Sequence, residues 1–210
     1  MSRRRALLMA AAGGGGDLTE GLVFYASFRS GIWAESGQEL TVDGEAYWAF
    51  DDELGRGAMF FSYGSVKFST ENLPVGDEPF TVAAKLRLPY GPHDGFFAFG
   101  WGSTPYGPTV AGLACSSSGL GLRNWGFGLG DVGGTDWHHL AGTYDGVTVR
   151  FYVDGQLDSA MSISGLTTGG ETGSFGTFWA GDYTDCRCAN ARIYNRALSA
   201  AEVASLAKEE

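Results

Sequence analysis

The chain has 210 residues, 44% of them hydrophobic, and a formal net charge of −10 at pH 7. That acidity argues against a nucleic-acid binder, which needs a basic face to displace counterions, and no basic run occurs beyond Arg3, Arg4 and Arg5. The 34 glycines are too many for a helical protein and lack the collagen period; with 14 Phe, 9 Tyr and 6 Trp they point to many short strands around one core.

Residues 1–16, MSRRRALLMAAAGGGG, differ from everything after them. They read either as a basic arm on a flexible glycine hinge or as a secretory signal at the short limit of its apolar run. The run, residues 6–12, is too short to span a bilayer. One domain is expected over residues 17–210. Segment 22–28 opens it as a strand, and 46–50 follows a polar, glycine-containing loop. Segments 58–61 and 65–68 are separated by Tyr63-Gly64. Segment 80–88 alternates, with Phe80, Val82, Ala84, Leu86 and Leu88 on one side and Lys85 and Arg87 on the other. After a turn at 89–94 come the short segments 95–101, 110–115, 119–122 and 125–129. Segment 164–176, rich in glycine and threonine, reads as a surface loop.

The strongest signal lies in residues 137–157. Asp145-Gly146 and Asp154-Gly155 supply the φ > 0 backbone of tight hairpins, so this stretch is predicted to form three consecutive antiparallel strands. Val147, Val149, Phe151 and Val153 are expected to face the core, and Thr148, Arg150 and Tyr152 the solvent. At the end, Ser199 and Glu202 form a capping box, and Val203, Leu206 and Ala207 make an apolar helical stripe. The helix is expected to pack on a sheet edge or to close the seam between first and last strands. The strand spacing predicts an all-β fold, a sandwich or jelly roll, with one short C-terminal helix.

The run WHHLAGTYDGVTVRFYVDGQL, followed by ARIYNRALSAAEVASL, resembles laminin-G-like domains of the concanavalin A-like lectin/glucanase superfamily. GLVFYASF and PFTVAAKLRL stand where that family places two of its strands, so the resemblance covers roughly residues 20–208. It implies a two-sheet antiparallel jelly-roll sandwich whose core is anchored by Trp137. It also implies a binding module for glycans, matrix proteins or cell surfaces, as found on enzymes, adhesins and phage particles. Some members hold calcium at the sandwich rim. Here Arg29-Ser30-Gly31-Ile32-Trp33 replaces an Asp-rich loop, and Ala189-Asn190 stands where acidic residues are usual, so no cofactor is expected. Were calcium held, Asp182, Asp185 and Asn190 would be its ligands; their ordinary reading is as turn residues.

Catalysis finds little support. The Glu-x-Asp-x-x-Glu pattern, which aligns two carboxylates on one strand face, is absent, as is a Gly-x-Ser-x-Gly elbow. Asp51-Asp52-Glu53 is contiguous, and Glu35 and Glu39 lie in a loop. His138 and His139 are adjacent and so face opposite ways, and His93 is a loop histidine beside Asp94. Cys186 and Cys188 would share a strand face about 7 Å apart and cannot bridge each other. Cys115 could pair with either, although reduced thiols are the simpler reading, and no second pair completes a zinc site. Aromatic residues in polar loops are the binding candidates: Trp101 and Tyr106 within 100–107, and Asn124 with Trp125. Core packing is the competing reading for each aromatic. The sequence thus points to a non-catalytic binding or adhesion module for a glycan or surface protein. Displayed on a larger assembly through residues 1–16, it would lie on a virion surface, as in a phage or prophage, or be extracellular. A structural decoration protein of a capsid or tail, and a secreted glycan hydrolase, are the alternatives. Sandwich edges leave room for a homo-oligomer.

Overall fold

The computed structural model describes residues 17–89, 98–102, 111–116, 119–124, 127–163, 165–170, 172–176 and 185–209. The readings placed on residues 1–16, His93, Tyr106, Trp125 and Asp182 lie outside the described residues. The strands are β1 (Leu22–Ala26), β2 (Leu40–Asp51), β3 (Arg56–Phe68), β4 (Phe80–Arg87), β5 (Phe99–Gly102), β6 (Ala111–Ser116) and β7 (Gly119–Asn124). They continue as β8 (Phe127–Val132), β9 (His138–Tyr144), β10 (Thr148–Val153), β11 (Gln156–Ser162), β12 (Thr172–Phe175) and β13 (Cys186–Tyr194), ahead of helix α1 (Ala200–Leu206). Their ladders are antiparallel and run β11-β10-β9-β4-β13-β3-β12-β5-β6-β7-β8, with β1 added to β13 and β2 to β3. The path folds back on itself, so β6, β7 and β8 lie against β4, β9, β10 and β11 and the core is enclosed between two layers.

Alternation places the residues. Phe80, Val82, Ala84 and Leu86 of β4 are fully buried in the main core, whereas Lys85 and Arg87 lie on the outer face. Phe24, Phe68, Phe99 and Phe175 form the aromatic centre, with Phe99 stacked on Phe175 at a centroid distance of 4.5 Å. Each buried ring of this kind stabilises the fold by roughly 1.5–3 kcal/mol.

The β9-β10-β11 meander forms as predicted. Asp154 at φ 50° and Gly155 at φ 79° make the second tight turn. Val149 and Phe151 are buried, but Val147 belongs to the turn ahead of β10 and is exposed. The opposite face is not all wet, because Tyr152 is buried with Ala83, Ala141 and Tyr194 beneath Leu198, Val203 and Leu206. Helix α1 therefore lies on the outer face of the sheet, not on its edge. The first-to-last seam is closed by β1 pairing with β13 and by Arg196, whose guanidinium donates to the carbonyls of Glu20 and Asp17.

Two further expectations are corrected. Segment 164–176 contains β12, an internal strand between β3 and β5, and not only a surface loop. Gly173 is required there, since a Cβ would stand 2.3 Å from the Phe68 ring. Trp137 precedes β9 half-buried and does not anchor the core; its indole N–H donates to Asp51. Cys186 and Cys188 both point into the core, the shared strand face expected of them, and Cys188 is a free thiol, as the reduced reading has it, whose pKa is pushed up by burial.

Candidate binding site

Trp101 is not a surface platform. It lies on β5, between β12 and β6, with 0% of its area exposed. Its indole N–H is satisfied by the Pro74 carbonyl at 2.9 Å, and its ring meets Phe80 edge-on at 5.2 Å. The flanking glycines reflect close packing rather than a loop. Asn124 ends β7 opposite Phe127, and its side chain, like Tyr106 and Trp125, lies outside the described residues.

Asn190 is a structural residue and does not fit a calcium site. It adopts φ 51° in the bulge where β13 exchanges one neighbour, β3, for another, β1. Its side-chain oxygen accepts from Arg56 at 2.9 Å, and the same guanidinium donates to the Ser27 carbonyl at the end of β1. An oxygen already bound to a cationic group, with the buried Arg192 two residues on, is a poor ligand for a cation. Asp185 sits half-buried before β13, and among the described residues no group of three His, Cys, Asp or Glu side chains is placed to hold a metal.

The exposed aromatics are elsewhere, on and beside β2. This strand pairs only with β3, so among the described residues its other edge carries no strand. The segment Tyr47-Trp48-Ala49-Phe50 puts three aromatics in four positions of an extended chain, and alternation sends them to both faces. Tyr47 is 53% exposed and Phe50 60% exposed; Trp48 and, in the β1–β2 connection, Trp33 are also exposed. Trp48 is held in place, because its indole N–H donates to the Phe28 carbonyl at 2.8 Å and its ring lies where a Cβ on Gly57 would be.

Tyr47 begins a row across the outer face, in register Tyr47–Phe60–Arg187–Arg87 through β2, β3, β13 and β4. Tyr47 stacks on Phe60 with centroids 5.4 Å apart and planes 17° from parallel, and the Arg187 guanidinium carbon sits 4.5 Å from the Phe60 centroid. Since β3 lies between β2 and β13, Phe60 is the middle of a three-member stack. Tyr47, 53% exposed, is the outer end of that stack, at the edge of β2 that carries no strand among the described residues.

The turn after β2 fixes the other end of this row. The Asp51 carboxylate has 0% of its side chain exposed and accepts from Arg187 at 2.6 Å, from the Leu54 amide at 2.9 Å and from the Trp137 indole at 3.2 Å. Burial acts to raise its pKa, but the Leu54 amide and the Arg187 and Trp137 donors outweigh it and hold the carboxyl below its ordinary value. Glu53 pairs with Arg87 at 2.7 Å. These carboxylates are committed to guanidinium groups, so the arrangement suits recognition, with a flat apolar face beside fixed polar groups, rather than acid–base chemistry. Sequence reasoning passed over these residues, although three aromatics within four strand positions already meant that at least one face would leave rings near the surface.

A family model described as concanavalin A-like lectin/glucanases superfamily, of the laminin G type, matches residues 61–204. No curated protein matches the chain in sequence. Among solved structures, it is similar to domain 4 of an extracellular GH43 arabinanase from Geobacillus stearothermophilus, solved in complex with arabinotriose. The TM-score is 0.64 at 16% identity, covering 89% of this chain and 98% of that one. The binding domain of Paraclostridial Mosquitocidal Protein 1 gives 0.66 at 15% identity over 89% of this chain and 52% of that one. The botulinum neurotoxin serotype D binding domain gives 0.67 at 12% identity over 90% and 50%. The chain thus spans about half the length of these toxin binding domains. These likenesses establish the fold, and the family match covers more than half of the sequence. The chain belongs to the concanavalin A-like lectin/glucanase superfamily.

Proposed function

We propose that this protein is a non-catalytic glycan-binding module whose site is the aromatic edge formed by β2. The observation that carries the reading is the exposed Tyr47 ring at the end of the Tyr47–Phe60–Arg187 stack, on a strand that pairs on one side only among the described residues. A sugar presents an apolar C–H face to such a ring and its hydroxyls to the polar groups beside it. The likeness to an arabinanase domain solved with arabinotriose, and to two toxin binding domains, supports the same reading.

The test is a glycan array followed by titration calorimetry on the best hit. Tyr47→Ala is expected to weaken binding about tenfold, equivalent to about 1.4 kcal/mol, with the melting temperature nearly unchanged because the ring is mostly exposed. A folded protein that binds no glycan refutes the proposal. We extend it to display on a larger assembly, such as a virion, through residues 1–16, whose three arginines and four glycines have the composition of a docking arm on a tether. Mass spectrometry of the native protein tests that extension: an intact arm supports it, and a chain starting near Gly13 favours secretion instead.

A further inference from the structure

The charges around the aromatic edge narrow the ligand class. On β2, its following turn, the β3 positions opposite and their ion-pair partners, the carboxylates are Asp43, Glu45, Asp51, Asp52 and Glu53, against the cations Arg56, Lys67, Arg87 and Arg187, five to four. Three of these cations already face a carboxylate, Lys67 meeting Asp43 at 3.3 Å, Arg87 meeting Glu53 at 2.7 Å and Arg187 meeting Asp51 at 2.6 Å, and Arg56 donates to the Ser27 carbonyl and the Asn190 side-chain oxygen. The guanidinium of Arg187 is also spent on the inner end of the stack, with Phe60 between it and Tyr47. Glu45 and Asp52 are exposed and add negative charge on either side of the aromatic segment. The whole chain carries −10, so the surrounding field has the same sign.

We infer that the aromatic edge of β2 takes a neutral sugar, one lacking carboxylate or sulfate, as its ligand; this rests on the glycan-binding reading above. A uronate, sialyl or sulfated residue would bring an anion to a net anionic edge whose cations are already engaged, losing more in desolvation than it regains. A neutral ring meets no such cost. Its C–H face covers Tyr47, and its hydroxyls can donate to exposed carboxylates such as Glu45 or accept from amides on the strand edge away from β3.

The experiment uses the full chain on two sets of probes. One set is neutral oligosaccharides of arabinose, xylose, glucose and galactose; the other is oligogalacturonate, sialylated and sulfated glycans. Hits are titrated at about 20 mM and about 500 mM NaCl, between which screening of surface charges changes severalfold in range. The expected result is binding to neutral probes, with Kd changing less than about twofold between the two salts and rising about tenfold in Tyr47→Ala. Selective binding of acidic probes that weakens severalfold at high salt overturns this inference while leaving a glycan-binding module in place. Neutral binding unaffected by Tyr47→Ala overturns the site. No binding to either set, with the β-sheet circular dichroism intact, overturns the glycan-binding reading itself.

Discussion

Replacing Asp51 by Asn tests whether one buried carboxylate organises the outer face. The substitution keeps an oxygen for the Leu54 amide and the Trp137 indole, which accept the same geometry from Asp or Asn. It removes the charge facing Arg187 at 2.6 Å and turns an amide N–H toward that guanidinium instead. The Asp51 side chain is fully buried, whereas Arg187 keeps about a quarter of its own area exposed at 27%. Breaking a wholly buried pair costs about 3–5 kcal/mol, and the partial hydration of Arg187 brings the expectation to roughly 2–3 kcal/mol. The assay is urea denaturation at neutral pH, read as a fall in the midpoint at constant slope. A companion cycle with Arg187→Gln isolates the pair, and should show a coupling of about 1–2 kcal/mol between the two positions. Because the Asp51 carboxyl is held below its ordinary value, its contribution is present above the unfolded-state pKa and is lost as pH falls through the folded one, so the variant's deficit should shrink in strong acid. A loss below about 0.5 kcal/mol, or no coupling, would show that Asp51 only neutralises a surface and does not hold the row together.

Three further outcomes are expected. Burial, followed by the positive charges of Arg192 and Lys85 and opposed by Asp154, holds the buried His139 imidazole at about 4. The unfolded chain takes up that proton near 6.5, so the stability is complete above that pH and falls by roughly 3 kcal/mol between about 6.5 and about 4; His139→Leu should flatten this slope in denaturation curves measured across the interval. Gly130→Ala should cost about 2–4 kcal/mol, since a Cβ there would lie 2.1 Å from the Phe151 ring at a φ of 76°, whereas Gly134→Ala, at φ 101° with nothing within 4 Å, should show only the backbone strain of about 1 kcal/mol. Ser199→Ala should lower stability by about 1 kcal/mol, because Ser199 and Glu202 cap α1 reciprocally; the Arg196 bond to Glu202 comes first among the causes that hold that carboxyl at about 2.

Where the sequence was legible, the determinants were local. The β9-β10-β11 meander follows from two Asp-Gly turns and a period of two, and the capping box of α1 lies within four residues. β12 escaped because Thr-Gly-Ser-Phe carries one large apolar side chain, and its burial depends on Phe68 of a distant strand filling the space over Gly173. The first half of β2 escaped for a related reason: Leu-Thr-Val-Asp-Gly-Glu has exposed side chains and is a strand by pairing with β3 rather than by burial.

The proposed binding site was hidden by the same non-local information, and the contrast between two aromatics shows how. Trp101 sits among glycine, serine and threonine and has the sequence neighbours of a loop, whereas Tyr47 sits in an apolar stretch and has those of a core strand. Composition ranks them in one order and the structure in the other. What decides is the number of neighbours of the strand that carries each residue: β5 is hydrogen-bonded on both sides, by β12 and β6, so its one indole is enclosed and finds the Pro74 carbonyl. Among the described residues β2 is bonded on one side only, so the ring that begins its outer row has one face on Phe60 and stands at the edge of the sheet. Periodicity tells which face of a strand a side chain takes, but only the pairing order tells whether that strand ends the sheet, and in a sandwich this long that order is fixed by contacts far apart in the chain.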